Sequence, residues 1–260
     1  MRPACSFNLA ELRQRVKPFR LHWFARLRST NDHAVMLRKR RELFAPAIVL
    51  TGHQSAGRGR GANSWWSGRG SLTATFALPI AEHAQPHQVP LLAGLAVRAA
   101  LVELSECGEI QLKWPNDLLL HDRKLAGLLC ERVQGVDLIG VGVNVNVDLS
   151  DVPRELRDRT ATLLQEVSRP IDMNVAVATI ARSLHARLSR PDEHPFSAAL
   201  REYDRHHALV GRRVAVSAGM PDDGLVSGTV VGLDGMGRLL LRDRSGVTVH
   251  RVVAGHVSIR

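Results

Sequence analysis

The chain has 260 residues, 45% of them hydrophobic, which is enough for one large domain and a small one around a real core. Three widely spaced cysteines (Cys5, Cys107, Cys130) without a CxxC pair argue against a disulfide framework or a zinc site, and no 18-residue uncharged apolar run exists to span a membrane. A net charge of +10 invites a nucleic-acid partner, but only Arg38-Lys39-Arg40-Arg41 forms a basic block, and aromatic residues at 4% are too few for a stacking platform.

Residues 1–20 read as a short polar lead with one helical turn over Leu9–Val16, too short for a helix-turn-helix unit. Leu21–Leu27 has the texture of a strand. Ser29-Thr30-Asn31-Asp32 then caps a helix reaching about Leu43. Ala47–Thr51 is an uncharged, β-branched strand. A loop from Gly52 to Gly70 follows, glycine-rich throughout, and Ser71–Leu78 alternates as a strand with Leu72, Ala74, Phe76 and Leu78 on one face. Val89–Leu104 is the most apolar helix. Ile110–Trp114, Asp117–Leu120, Leu125–Val133 and Leu138–Val147 read as strands joined by tight turns, and helices return at Asp172–Leu188 and Pro195–Leu209. The grouping predicts an α+β fold, a mixed and mostly antiparallel sheet with helices on one side. From Gly211 the texture changes to short β-rich runs at Arg213–Val216, Gly228–Leu233, Leu239–Arg242 and Val247–Val252, expected to form a small β-barrel. The expected units are 1–209 and 210–260.

Arginine fills 31 basic positions and lysine only four: Lys17, Lys39, Lys113 and Lys124. A lysine that persists in such a chain suggests a site wanting a compact ammonium rather than a planar fork. Lys113 opens Lys113-Trp114-Pro115-Asn116-Asp117, and Lys124 lies in Arg123-Lys124-Leu125-Ala126-Gly127. Upstream, Gly57-Arg58-Gly59-Arg60-Gly61 is no dinucleotide fingerprint, since residue 62 is alanine, and no Walker loop, since no Lys-Ser/Thr follows. Its glycines free the backbone to approach an anion, and Arg58 and Arg60 can donate charge-assisted bonds. A flexible basic surface loop is the plain alternative. Trp65-Trp66 weighs against it, because adjacent tryptophans in a polar loop are costly unless they pack on something.

Several other features are ambiguous alone. Ser29-Thr30-Asn31 is by itself an ordinary helix cap, and Gln54 a loop amide. Asp117 could end a strand or help hold a magnesium-phosphate group. Gly140-Val141-Gly142-Val143-Asn144 places glycines inside a strand, which weakens it unless another group comes close. Cys130 reads as a small buried hydrophobe. HExxH, GxSxG and Ser-x-x-Lys signatures are all absent.

Taken in order, Ser29-Thr30-Asn31, Gln54, Gly57-Arg58-Gly59-Arg60 with Trp65 and Ser67, Lys113–Asp117, Arg123–Gly127 and Gly140–Asn144 resemble the biotin protein ligases over nearly the whole chain. The β-rich end resembles that family's SH3-like domain. The resemblance implies a class II synthetase-like catalytic domain over 1–209. The implied reaction uses ATP to activate biotin as biotinyl-5′-AMP, then transfers biotin to a lysine of the biotin carboxyl carrier protein of acetyl-CoA carboxylase or a related carboxylase. It implies that Ser29, Thr30, Asn31, Gln54 and Gly57 bind biotin, with Gly127 and Gly142 offering close backbone contact. Lys124, Arg58 and Arg60 would carry the chemistry, with Lys124 bridging the biotin carboxylate and the α-phosphate. Trp65, Lys113, Asn116, Asp117 and Asn144 would hold ATP or the adenylate, and Mg2+ would arrive with ATP near Asp117. Two anions must be brought together, so arranged positive charge is the expected source of catalysis.

The family often carries another basic residue shortly before the tryptophan. Here the loop reads Gly61-Ala62-Asn63-Ser64, and Arg69 is the candidate substitute. The chain is expected to be a form of the family without its amino-terminal DNA-binding domain and without a leader peptide. The expectation is a cytoplasmic ligase with no nucleic-acid or membrane partner, and the resemblance leaves room for a homodimer. Two rivals are a lipoate ligase or octanoyl transferase of the same catalytic fold, the latter needing Cys130 as acyl carrier, and a basic nucleic-acid-binding protein with steep salt dependence.

Overall fold

The computed structural model describes residues 6–80, 84–189, 195–217 and 225–260; Cys5 lies outside them. Helix α1 (Leu9–Arg15) leads into β1 (Arg20–Phe24), α2 (Thr30–Lys39) and β2 (Ala47–Thr51). A short hairpin, β3 (Gly57–Arg58) and β4 (Ser64–Trp65), precedes β5 (Ser71–Pro79) and α3 (Val89–Ser105). Strands β6 (Gln111–Lys113), β7 (Asp117–Leu120), β8 (Arg123–Val133) and β9 (Val136–Asn144) follow. Next come α4 (Arg154–Arg157), α5 (Leu163–Val167), α6 (Met173–Ser189) and α7 (Phe196–Arg205). The chain closes with β10 (Arg213–Ser217), β11 (Val226–Leu233), β12 (Leu239–Arg242), β13 (Val249–Val252) and β14 (His256–Ile259).

Seven strands form one sheet in the order β1-β2-β5-β9-β8-β7-β6. Within it only β1 and β2 run parallel, and α2 is the crossover that a parallel pair requires; the other neighbours are antiparallel. Strand alternation sends Ile48, Leu50, Leu72, Ala74, Phe76, Ile139, Val141 and Val143 to one face, where they join α3 and α6 in the main core. The opposite face divides in two. Ala47, Val49, Ala77, Val136 and Leu138 pack beneath Ala34 and Leu37 of α2, while Thr73 pairs with Gly142 and Thr75 with Gly140. The α+β class and the mostly antiparallel sheet agree with the sequence reading. The helical layer is on one side for α1, α3 and α6, but α2 sits on the other, because its Ala34 and Leu37 must bury against the residues that alternate away from the main core.

The last five strands form an antiparallel sheet in the order β13-β12-β11-β10-β14. Its inward residues Val214, Val216, Val230, Leu239, Leu241 and Val257 belong to the same continuous cluster as the main core. Trp114 ties the sheets together. It is 2% exposed and donates its indole N–H to the carbonyl of Gly237 at 3.1 Å in the β11–β12 turn. Gly237 has φ +80°, and a Cβ there would come within 2.6 Å of Leu91 Cδ1, so the turn can close on α3 only without a side chain.

Three sequence expectations are corrected. The Gly52–Gly70 stretch contains the β3–β4 hairpin, because Gly57 and Trp65, and Arg58 and Ser64, pair across it. The last helix ends at Arg205, short of Leu209, since the following residues bond the sheet edge: Leu112 N–H donates to His206 O and Ala208 N–H to Leu112 O. Strand β14 carries no strong alternation, and its pairing with β10 makes it a strand.

His207 lies at that junction, 7% exposed, with no hydrogen-bond partner at either ring nitrogen among the described residues. Burial lowers its pKa from 6.5 to about 4. Its contribution to stability is full above pH 6.5. As pH falls from 6.5 toward 4, the unfolded chain takes up a proton that the native ring refuses, and stability is lost by up to about 3 kcal/mol. Denaturant unfolding at about pH 7.5 and about pH 4.5 should show that part of the loss in the wild type and not in His207→Phe; equal pH dependence would refute it.

Candidate active site

The glycine lane of the sheet, Gly140 and Gly142 of β9 with Gly127 of β8, is the floor of a cavity of about 1000 Å³. Its depth depends on two missing side chains on β9. A Cβ at Gly140 would lie 2.1 Å from Asn31 Oδ1, and one at Gly142 would lie 2.5 Å from the Trp65 ring. The strand glycines therefore let the start of α2 and the hairpin tryptophan rest directly on backbone.

At one end, Ser29 caps α2 by accepting from Asp32 N–H at 3.3 Å. Thr30 donates its backbone N–H and its hydroxyl to Gln54 Oε1 at 2.7 and 3.0 Å, which orients the Gln54 amide. Thr75 Oγ1 stands 2.9 Å from Thr30 Oγ1 and 2.6 Å from Asn31 Oδ1. Asn31 in turn donates to Leu129 O at 3.0 Å and to Glu131 at 2.8 Å. The helix cap, Gln54 and strands β5 and β8 thus form one hydrogen-bonded pocket wall, buried at Ser29, Thr30, Asn31 and Gln54.

At the other end stands Lys124. It is three positions from Gly127, a spacing that in a regular strand would put the two on opposite faces. A β-bulge restores the match: Leu118 pairs with Ala126 and Leu119 with Lys124, leaving Leu125 as the extra residue, fully buried in the core. Lys124 is turned to the face of Asp117 and Gly127, and its ammonium lies 2.7 Å from Asp117 Oδ1. A Cβ on Gly127 would reach within 3.0 Å of Lys124 Cε, so the glycine leaves the lysine its room. The segment is stapled from outside. Lys124 N–H donates to Arg159 O at 2.7 Å, Ala161 N–H to Lys124 O at 2.9 Å, and Asn144 Nδ2 to Lys124 O at 3.3 Å and Ala161 O at 3.1 Å.

The hairpin covers the lane between these ends. The Trp65 ring centroid lies 5.8 Å from Lys124 Nζ, within cation–π range, and its buried indole N–H has no hydrogen-bond partner among the described residues. Arg60 donates to Asn116 Oδ1 at 3.3 Å and to Gly255 O at 3.4 Å, joining the hairpin to the second sheet; burial pulls its pKa down. Asn116 also donates to Leu128 O at 2.7 Å. Lys113 stands across from Asp117 in the β6–β7 pair, with its pKa lowered by burial. Arg58 does not reach toward Lys124; it is ion-paired with Asp32 and, at 3.3 Å, with Glu131.

Of the residues expected to bind biotin, hold the nucleotide or carry the chemistry, all line the cavity except Gly57, which packs behind it against Trp65 O and Gln54 Nε2; Arg69, the candidate substitute for the missing basic residue, lines a separate pocket with His53 and Ser71. Trp114 is spent on docking the second sheet. Thr75, Asp32 and Glu131, which bond the lining residues Asn31 and Arg58 from behind, were missed, as was the wall at Ala254–Ile259. Thr75 was readable, since it alternates with the apolar face of its strand. The Ala254–Ile259 wall carried no local signal. Cys130 is flanked by the core and burial pushes its thiol well up, which opposes a nucleophilic role. Gly142→Ala should displace Trp65 and weaken closure of the hairpin, read as a changed tryptophan emission and faster proteolysis at Trp65-Trp66. Unchanged emission and cleavage would show that the contact is not required.

Residues 23–148 match the Biotin/lipoate A/B protein ligase family. The chain is 34% identical over 214 residues to a biotin–[acetyl-CoA-carboxylase] ligase of Mycobacterium tuberculosis, covering 78% of this chain and 75% of that one. It is 29% identical over 208 residues to the bifunctional ligase/repressor BirA of Bacillus subtilis, of whose length it spans 62%. The biotin protein ligase of Aquifex aeolicus, solved in complex with biotin and ATP, superposes with a TM-score of 0.79 at 27% identity, over 93% of this chain and 98% of that one. No helix among the described residues is long and apolar enough to cross a membrane. The motifs, the fold and these relatives together make the chain a member of the biotin protein ligase family.

Proposed function

We propose that the protein uses ATP to activate biotin and transfers it to a lysine of a carboxylase carrier domain, with residues 1–209 as the catalytic unit and 210–260 as an SH3-like unit that closes one wall of the site. The observation that carries this reading is the placement of Lys124. It stands at one end of a glycine-floored lane whose other end is the Thr30–Gln54 wall. That wall offers fixed amide and hydroxyl groups of the kind a cyclic urea needs, and the lane suits an aliphatic chain leading to a carboxylate at Lys124.

In the first step, a carboxylate oxygen of biotin attacks the α-phosphorus of ATP. The bond to the β-phosphate oxygen breaks and pyrophosphate leaves. Lys124, with Arg60 and Lys113 near it, offsets the repulsion between the two anions and the charge that develops on the phosphoryl oxygens. Asp117 holds the Lys124 ammonium at 2.7 Å until ligand arrives. Trp65 and Asn116 line the space for the nucleotide, and Asn144 acts by fixing the Lys124 backbone. In the second step the amine of the carrier lysine attacks the acyl carbon of the mixed anhydride, AMP leaves, and the amine proton is lost to solvent.

No group of three or more His, Cys, Asp or Glu gathers to hold a metal among the described residues. Mg2+ would enter with the triphosphate as part of the substrate, and Asp117 is the carboxylate that could meet it.

Protein incubated with biotin and Mg-ATP should release pyrophosphate in a biotin-dependent manner and retain biotinyl-AMP detectable by mass spectrometry. Well-folded protein that does neither would overturn the reading. Lys124→Gln should slow single-turnover adenylation by about 30-fold to 1000-fold, roughly 2–4 kcal/mol of lost charge stabilisation; a near-normal rate would show that the role is misassigned. Cys130→Ala should retain full activity, and loss of transfer in that variant would favour the acyl-carrier alternative.

A further inference from the structure

The wall at the Thr30–Gln54 end has three hydroxyl contacts, Thr75 to Asn31, Thr75 to Thr30 and Thr30 to Gln54, but only two hydroxyl protons to fill them. Thr75, on β5, is fully buried, with its oxygen 2.6 Å from Asn31 Oδ1 and 2.9 Å from Thr30 Oγ1. The Asn31 amide is oriented by its nitrogen, which donates to Leu129 O at 3.0 Å and to Glu131 at 2.8 Å. The atom facing Thr75 is therefore the amide oxygen, which carries no proton. Two oxygens 2.6 Å apart need a proton between them, so the Thr75 proton is committed to Asn31.

Thr75 then turns only lone pairs toward Thr30, and the proton in their 2.9 Å contact is Thr30's own. The same proton serves Gln54 Oε1 at 3.0 Å, so it is shared between two acceptors. Gln54 Oε1 keeps the backbone N–H of Thr30 at 2.7 Å however the hydroxyl turns. The hydroxyl can thus leave Gln54 for Thr75 without stranding any group of the wall. While it points at Gln54, both lone pairs of Oε1 are occupied, and a ligand N–H finds an open acceptor there only after the hydroxyl has turned.

We propose that Thr75 is a positioning residue for substrate specificity: it takes up the Thr30 hydroxyl proton when a ligand N–H donates to Gln54 Oε1, and so keeps this wall an acceptor for the N–H of a cyclic urea. The proposal rests on the ligase reading above and deepens it. Thr75 does not line the cavity and acts through Thr30.

The test sets Thr75→Val, which keeps the volume and removes the hydroxyl, against Thr75→Ser, which keeps the hydroxyl and removes a methyl group. By calorimetry, Thr75→Val should raise the dissociation constant for biotin about fivefold, the size of one neutral hydrogen bond, and Thr75→Ser should stay within about twofold of wild type. A residue that only fills space predicts the reverse order. In a Thr30→Val background Gln54 Oε1 is already relieved of the hydroxyl, so adding Thr75→Val should cost no further affinity. The same pair of substitutions in ligand-free protein, read as denaturant midpoints, should be non-additive, because the two residues share one bond.

The proposal falls if Thr75→Ser weakens biotin as much as Thr75→Val does. It falls equally if Thr75→Val costs the same affinity with and without the Thr30 hydroxyl, which would place its effect on Asn31 instead, or if the ligand-free midpoints are additive. Wild-type protein that neither binds biotin nor releases pyrophosphate with it would sink the ligase reading, and the ligand-free midpoints then decide whether Thr75 holds the Thr30 proton.

Discussion

The cavity exists because two side chains are missing from the central strand β9. Gly140 and Gly142 lie where Asn31 and Trp65 press onto the sheet, and neither contact has room for a methyl group. This constraint sets the depth of the lane, the seat of the α2 cap and the closed position of the hairpin together. A glycine inside a strand ordinarily weakens it. Here the loss is offset because β9 is buried along its whole length and paired on both sides, by β5 and β8, over nearly every residue.

The second constraint is electrostatic. Three cations of the cavity are positioned by different means. Arg58 is neutralised by two carboxylates, Lys124 by one, and Arg60 donates to neutral oxygen atoms. The ion pair at Lys124 is partly open to solvent, so its net contribution to stability is small and it is easily exchanged for an incoming anion. The expensive feature is geometric. The bulge at Leu125 and the backbone staples to residues 159–161 hold the lysine on the floor side of the strand before any ligand is present. Preorganised charge of this kind needs no rearrangement when two anions meet beside it.

The second sheet belongs to the same arrangement. Trp114 contributes a large buried surface and one satisfied indole N–H at the junction, and Arg60 reaches across to Gly255. The Lys113–Asp117 turn therefore serves two ends at once, anchoring the second sheet with its tryptophan and presenting a lysine and an aspartate to the cavity. A motif that looks wholly chemical in the sequence is half structural.

Periodicity and motif order in the chain were sufficient for most of the elements, the sheet class and the family, because the alternation in β5, the apolar run of β2 and the cap of α2 are local signals, whereas the β3–β4 hairpin and β14 depend on pairing. The residues of the site were legible for the same reason, as short runs with unusual composition. What each of them touches was not. Whether Lys124 faces core or cavity depends on a one-residue bulge that shifts parity. Arg58 and Arg60 differ only in which carboxylates the fold brings near, from positions 26 and 73 residues away in one case. The wall at Ala254–Ile259 meets the cavity through sheet docking alone. Side-chain direction and long-range pairing are properties of the packed state, and there the tertiary structure alone decided.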